Sequence, residues 1–162
     1  MYRWVVFLHV LGVFSFLLAH GASMNMAFAL RRERDLGRLR ALLDLSSTSL
    51  GVMYPSLIII LVTGILAGFQ GHWWSDGWIW TAVVVLFAIM VGMYMMGTKI
   101  YAAAREAVGL PYMAGSKGMP ATAPKRPEEI DAALKKANPI ALAVLGYGGL
   151  AVLAFLMIIK PF

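Results

Sequence analysis

Positions 4–30, 45–75, 77–98 and 137–159 of this 162-residue chain contain no Asp, Glu, Lys or Arg. About 20 apolar residues form a helix that crosses the hydrocarbon layer of a bilayer. In that layer each backbone N–H and C=O must be satisfied internally, so a run of this kind becomes a helix. The predicted fold is all-α: an integral membrane four-helix bundle, with spans near 4–30, 47–69, 77–100 and 139–159 and a long connection over 101–137. Hydrophobic residues make up 60% of the chain and charged ones 14%, against about 25% charged in soluble domains. That leaves a single transmembrane domain over 1–162 and no separate soluble unit. The absence of cysteine excludes disulfides, thiolate metal sites and covalent c-type haem. The first apolar run exceeds the core of about 7–15 residues of a signal peptide, so it is expected to stay attached.

The net charge of +6 is distributed by side. Arg31, Arg32, Arg34, Arg38 and Arg40 follow the first span, and Lys99, Arg105, Lys117, Lys125, Arg126, Lys135 and Lys136 follow the third; only Arg3 and Lys160 fall at the opposite end. By the positive-inside rule both basic connections are cytoplasmic and the N- and C-termini lie outside. Such clusters attract anionic headgroups. No aromatic residues alternate with them to stack bases, which speaks against a nucleic-acid partner. Leu36, Leu39, Leu42 and Leu43 recur at helical spacing and suggest an amphipathic extension of the first span. The connection 109–127, rich in Gly and Pro, is expected to be irregular. Pro127 to Ala137 places acids first and lysines last, the order of a short helix, and Asn138-Pro139 ends it and starts the fourth span. The turn from Phe69 to Trp80 holds four tryptophans, as an interfacial belt or as a lid over an outward pocket to which His72 contributes.

Close helix contact is expected at Gly12, Ser15, Ala19, Ala22 and Met26 on the first span, at Gly64 and Gly68 (a GxxxG pair) on the second, and at Gly146 to Gly149 on the fourth. Pro55 frees the carbonyl of Gly51, with a kink or simple tolerance as the outcomes.

The chemistry-bearing residues are His9 and His20. Eleven positions apart, they fall within about 20° of one helix face and roughly 16 Å apart along the axis, so they cannot share one iron. Intramembrane ionisable groups usually face a bundle interior, a cavity or a cofactor. Neutral imidazole suits haem iron. Its opposite ligand would be a methionine such as Met53, Met90, Met93, Met95 or Met96, of which Met90 and Met93 are nearest the depth of His20. The alternative for each histidine is a plain bond across helices to a carbonyl or a hydroxyl of the Ser15 or Thr63 kind, and for each methionine a packing role. Met24, one turn beyond His20, adds soft sulfur to imidazole, a set that suits Cu(I). No Ser-His-Asp, paired-carboxylate or phosphate-cradling arrangement is present, and every acid lies outside the apolar runs.

The opening from Trp4 to Gly21, with Leu8-His9-Val10-Leu11-Gly12 and a basic Leu30-Arg-Arg exit, resembles the first span of a group of small bacterial membrane proteins. That group includes an uncharacterised predicted-membrane family, copper-resistance-protein-D-like proteins and HemJ-type protoporphyrinogen oxidases; Gly77-Trp-Ile-Trp80 resembles the uncharacterised family further. The resemblance implies a haem or metal ligand at His9 and a bacterial plasma-membrane location. Trp78 to Ala82 lacks the lysine that the HemJ-type enzymes carry there, so their activity is not carried over. The expected function is cytochrome-b-like: haem b bound through His20 or His9, with electrons passed to or from quinone. The alternatives are a non-catalytic accessory subunit of a larger respiratory or photosynthetic membrane complex, in which a homo-oligomer also falls, and a copper-handling protein using His9, His20 and Met24.

Overall fold

The computed structural model describes residues 1–162 apart from the side chain of Lys99. It is 79% helical. Four helical segments, Tyr2–Leu30, Leu36–Gln70, Gly77–Ala107 and Pro127–Ile159, are long and apolar enough to cross a membrane. The first two are single helices, α1 (Tyr2–Leu30) and α2 (Leu36–Gln70). The third is α3 (Gly77–Met93), a π-helical turn over Tyr94–Thr98, and α4 (Lys99–Ala107). The fourth is α5 (Pro127–Lys135), α6 (Pro139–Ala143), a second π turn over Val144–Gly148, and α7 (Gly149–Ile159).

Polar side chains set the ends. Asp35 caps α2 by accepting from the Arg38 backbone N–H at 2.8 Å, so the leucines from Leu36 onward begin α2 and do not extend α1 as the spacing alone suggested. Asn138 caps α6 by accepting from the Ala141 N–H at 3.1 Å, with Pro139 in the first turn, where its missing N–H costs nothing. The helix of α2 continues through Pro55. The segment expected to be irregular contains a two-stranded antiparallel hairpin, β1 (Tyr112–Ala114) with β2 (Lys117–Met119). Its turn uses Gly115 at φ 65°, a conformation open to glycine. This short hairpin is an addition to a predominantly helical chain.

α1 and α2 form an antiparallel pair, tied by Gly12 against Ile59 and Ile60 and by Ser23 Oγ to Ser46 Oγ at 2.9 Å. α3 and α7 form the second pair, packed through Ala82, Leu153 and Leu156. The pairs meet along the buried edge of α1: Met24 and Ala27 touch Leu142, with Met93 and Met96 packed against them.

At the basic end lies a compact core of Leu30, Leu39, Leu43, Ala104, Ala107, Val108, Ile130 and Leu134. Ile130 and Leu134 are thus buried against the bundle. Arg40 Nε donates to the Val108 carbonyl at 2.8 Å. Arg105 pairs with Asp44 at 3.0 Å and donates to the Ser47 hydroxyl at 3.0 Å. Gly109 turns the chain at φ 80°, where a Cβ would stand 2.5 Å from the Thr122 carbonyl oxygen.

Candidate functional site

The two histidines of α1 do not converge. His9 faces α2, and His20 faces the fourth span.

His9 Nδ1 lies 3.1 Å from the Ile60 carbonyl oxygen and 3.1 Å from Thr63 Oγ1. A carbonyl can only accept, so Nδ1 carries the proton and the neutral ring keeps its lone pair on Nε2. Thr63 donates its own hydroxyl proton to the Ile59 carbonyl, which leaves its oxygen free to accept. Glycine makes this approach feasible: a Cβ on Gly64 would be 3.3 Å from His9 Cε1. The first glycine of the GxxxG pair therefore seats a histidine, while the second, Gly68, seats Trp74 and Ile79. Among the described residues Nε2 has no partner, and it is not sealed off. The bond across helices that the sequence left as an alternative is present, and it orients the ring with Nε2 left available. Gly12, one of the positions expected to make close helix contact, meets Ile59 and Ile60 of α2 nearby.

His20 is 5% exposed. Its ring stacks on Phe16 at 5.8 Å and meets the edge of Tyr147 at 5.6 Å. Nε2 is buried without a hydrogen-bond partner among the described residues, and a Cβ on Gly146 would come within 2.5 Å of it. Any ligand at this nitrogen from the Gly146 side requires α1 and the fourth span to part. Gly146 and Tyr147 lie in the π turn, a distortion found frequently at functional sites.

The methionines divide. Met90 and Met95 point outward, 39% and 63% exposed, so Met90 does not face the bundle as its depth had suggested. Met93 and Met96 are half-buried and pack against the cluster of Met24, Ala27 and Leu142. His72, in the left-handed region at φ 57°, is exposed in the tryptophan-rich turn and does not fold inward. Among the described residues no three of His, Asp and Glu gather as a metal site.

The tryptophan turn forms an aromatic cap. Trp73 meets Tyr2 at 6.0 Å and Trp78 at 5.4 Å, and Trp80 Nε1 donates to the Trp74 carbonyl at 3.0 Å. Lys160 Nζ sits 3.8 Å above the Trp73 ring, and the Trp78 N–H donates to the Phe162 carbonyl at 3.1 Å. The roles of Tyr147, Gly146 and Lys160 were missed from the sequence. Gly146-Tyr-Gly-Gly149 marked a close-approach surface, but nothing in it pointed to His20.

Compared with known proteins, the chain matches no family model, no curated protein and no solved structure.

Proposed function

We propose that this is a multi-pass membrane protein of the bacterial plasma membrane, with basic connections cytoplasmic and both termini outside, that holds haem b through His9 Nε2 and passes electrons, with quinone as a small-molecule partner. The observation that carries the reading is the His9 network. Ile60 and Thr63 hold the Nδ1 proton, the arrangement by which proteins orient a ligating imidazole and raise its basicity. Haem, when bound, supplies one-electron chemistry at its iron. The chain's own residues set the ring angle at His9, keep its lone pair on Nε2, and offer Arg3, in an open groove with Tyr2, Val6, Phe7 and Val10, as a cation for an anionic substituent. A ligand opposite His9 would come from a second copy or a partner subunit, since His20 faces elsewhere and Met90 points outward.

The accessory-subunit reading has its own support. Only 6% to 22% of the residues in the most apolar window of each span are buried, and Phe7, Leu8, Leu11 and Phe14 are exposed around His9. These faces suit lipid or another membrane protein.

One experiment separates the readings: a dithionite-reduced minus oxidised spectrum of the detergent-purified chain, with pyridine-haemochrome quantification. The cytochrome reading expects a b-type spectrum that His9→Ala abolishes and Thr63→Val shifts. A colourless chain purified without haem loss overturns it and leaves the accessory role.

A further inference from the structure

Tryptophan at the rim of an apolar helix is ordinary, since the indole favours the headgroup level of a bilayer, and one lysine over one ring would assign nothing. The aromatic cap holds more than that. The rings of Trp73 and Trp78, inclined at 61° with centroids 5.4 Å apart, form a corner. The Lys160 ammonium stands in it, 3.8 Å from the Trp73 centroid and 5.3 Å from that of Trp78, both within the roughly 6 Å reach of a cation–π contact. Among the described residues Nζ makes no hydrogen bond and no ion pair, so the ring faces are what hold it.

The backbone is bent to put it there. Lys160 adopts the left-handed conformation at φ 48°, which costs free energy in a residue that carries a side chain. Two residues on, the Phe162 carbonyl accepts from the Trp78 N–H at 3.1 Å. Gly77 makes room for the Phe162 ring, which a Cβ there would approach to 3.0 Å. Asp76 accepts from Trp78 Nε1 at 3.3 Å, which steadies that ring and sets a negative charge beside the corner.

We propose that the corner of Trp73 and Trp78 is an aromatic cage for a quaternary ammonium group, with Lys160 as its built-in competitor. A primary ammonium carries three N–H donors and is strongly hydrated, and the cage offers it rings alone. A quaternary ammonium has no N–H to satisfy and presents only methyl groups to the ring faces, the pairing on which aromatic cages are built. Trp78 is buried, Trp73 half-buried and Lys160 exposed, so the lysine is the outermost member and can swing into solvent without unfolding the cap. A choline-type lipid headgroup and a free quaternary amine share this chemistry. The cage shares no residue with the His9 network, and its test does not depend on haem.

The test is a saturation-transfer NMR titration with tetramethylammonium of the full chain in a maltoside detergent, at constant ionic strength. Saturable binding is expected, displaced by choline and not by its neutral tert-butyl analogue. An occupied cage binds in proportion to the fraction that is open, so Lys160→Ala should tighten binding about two- to fivefold. Adding Trp73→Leu should undo that gain, whereas Trp4→Phe, which alters an exposed tryptophan outside the cap, should bind as the parent does. Nanodiscs separate the two sources: binding lost in phosphatidylcholine but kept in phosphatidylethanolamine assigns the lipid headgroup, and equal binding in both assigns a soluble cation. No saturable binding in the parent and in Lys160→Ala overturns the cage. Displacement by the neutral analogue as strong as by choline overturns it too, as does a Lys160→Ala chain that binds no tighter than the parent. None of these three outcomes needs a tryptophan variant, so they stand even where Trp73→Leu fails to fold.

Discussion

Replacing Gly146 with alanine sets two opposed energies against each other. In a helix interior the change is worth about 0.5–1 kcal/mol in alanine's favour, through backbone entropy. Here the new Cβ would stand 2.5 Å from His20 Nε2, 3.2 Å from Cε1 and 3.7 Å from Cδ2. The first of these is well inside van der Waals contact. The ring has little freedom to retreat, because Phe16 stacks on one face and Tyr147 closes an edge. Overpacking of this kind costs about 1–3 kcal/mol, so the clash should win and leave a net destabilisation of up to roughly 2.5 kcal/mol. In a His20→Ala background the obstacle is gone. Gly146→Ala should then be neutral or stabilising by about 0.5–1 kcal/mol. The assay is a double-mutant cycle, with reversible unfolding of the four proteins in mixed micelles by added dodecyl sulfate, followed by circular dichroism. The expected coupling is about 1–3 kcal/mol. Effects that add within about 0.5 kcal/mol would refute the packing of the fourth span onto His20.

Leu43→Ala opens a hole in the core at the basic end, where Leu43 is 1% exposed; a loss of about 2–5 kcal/mol is expected in the same unfolding assay. Lys160→Ala removes a cation held 3.8 Å over Trp73, a contact worth about 0.5–1 kcal/mol at an exposed site, and should shift the tryptophan emission without changing helix content. The Asp131 carboxyl is held below its ordinary pKa, first by its hydrogen bond to Lys135 and then by the charges of Lys135 and Arg34. Its Oδ1 faces Arg34 at 3.2 Å as an ion pair without hydrogen-bond alignment. A depressed carboxyl stabilises the fold above its unfolded pKa, and that contribution fades as pH falls below about 4. Asp131→Asn should therefore flatten the acid limb of stability against pH; an unchanged limb would refute the pairing.

Much of the architecture was readable one residue at a time. The uncharged runs placed four long helices, because lipid leaves a spanning backbone no other way to satisfy its polar groups. Asn138-Pro139 marked the start of the fourth span, and the charge order after Pro127 marked α5. Where the reading erred, the deciding fact was local chemistry that periodicity overlooks. Asp35 caps a new helix where leucine spacing suggested continuation, and Gly115 permits a hairpin where Gly and Pro suggested irregularity.

The candidate site was half legible. Intramembrane histidines stand out in any sequence because an ionisable group at that depth is costly, and Thr63 was foreseen as the kind of hydroxyl that would answer one. Their common helix face did not become a common site. Each histidine's partner comes from residues about 50 or more than 120 positions away, through helix pairings that apolar lipid-facing surfaces do not encode at the level of composition. The sequence by itself determined that the chain forms long apolar helices with its cations gathered at one end. Only the tertiary structure decided that His9 has its proton pinned with Nε2 open and that His20 is shut against Gly146. The physical reason is that span formation depends on transfer and backbone hydrogen bonding within one segment, whereas these contacts depend on which glycines let which helices approach.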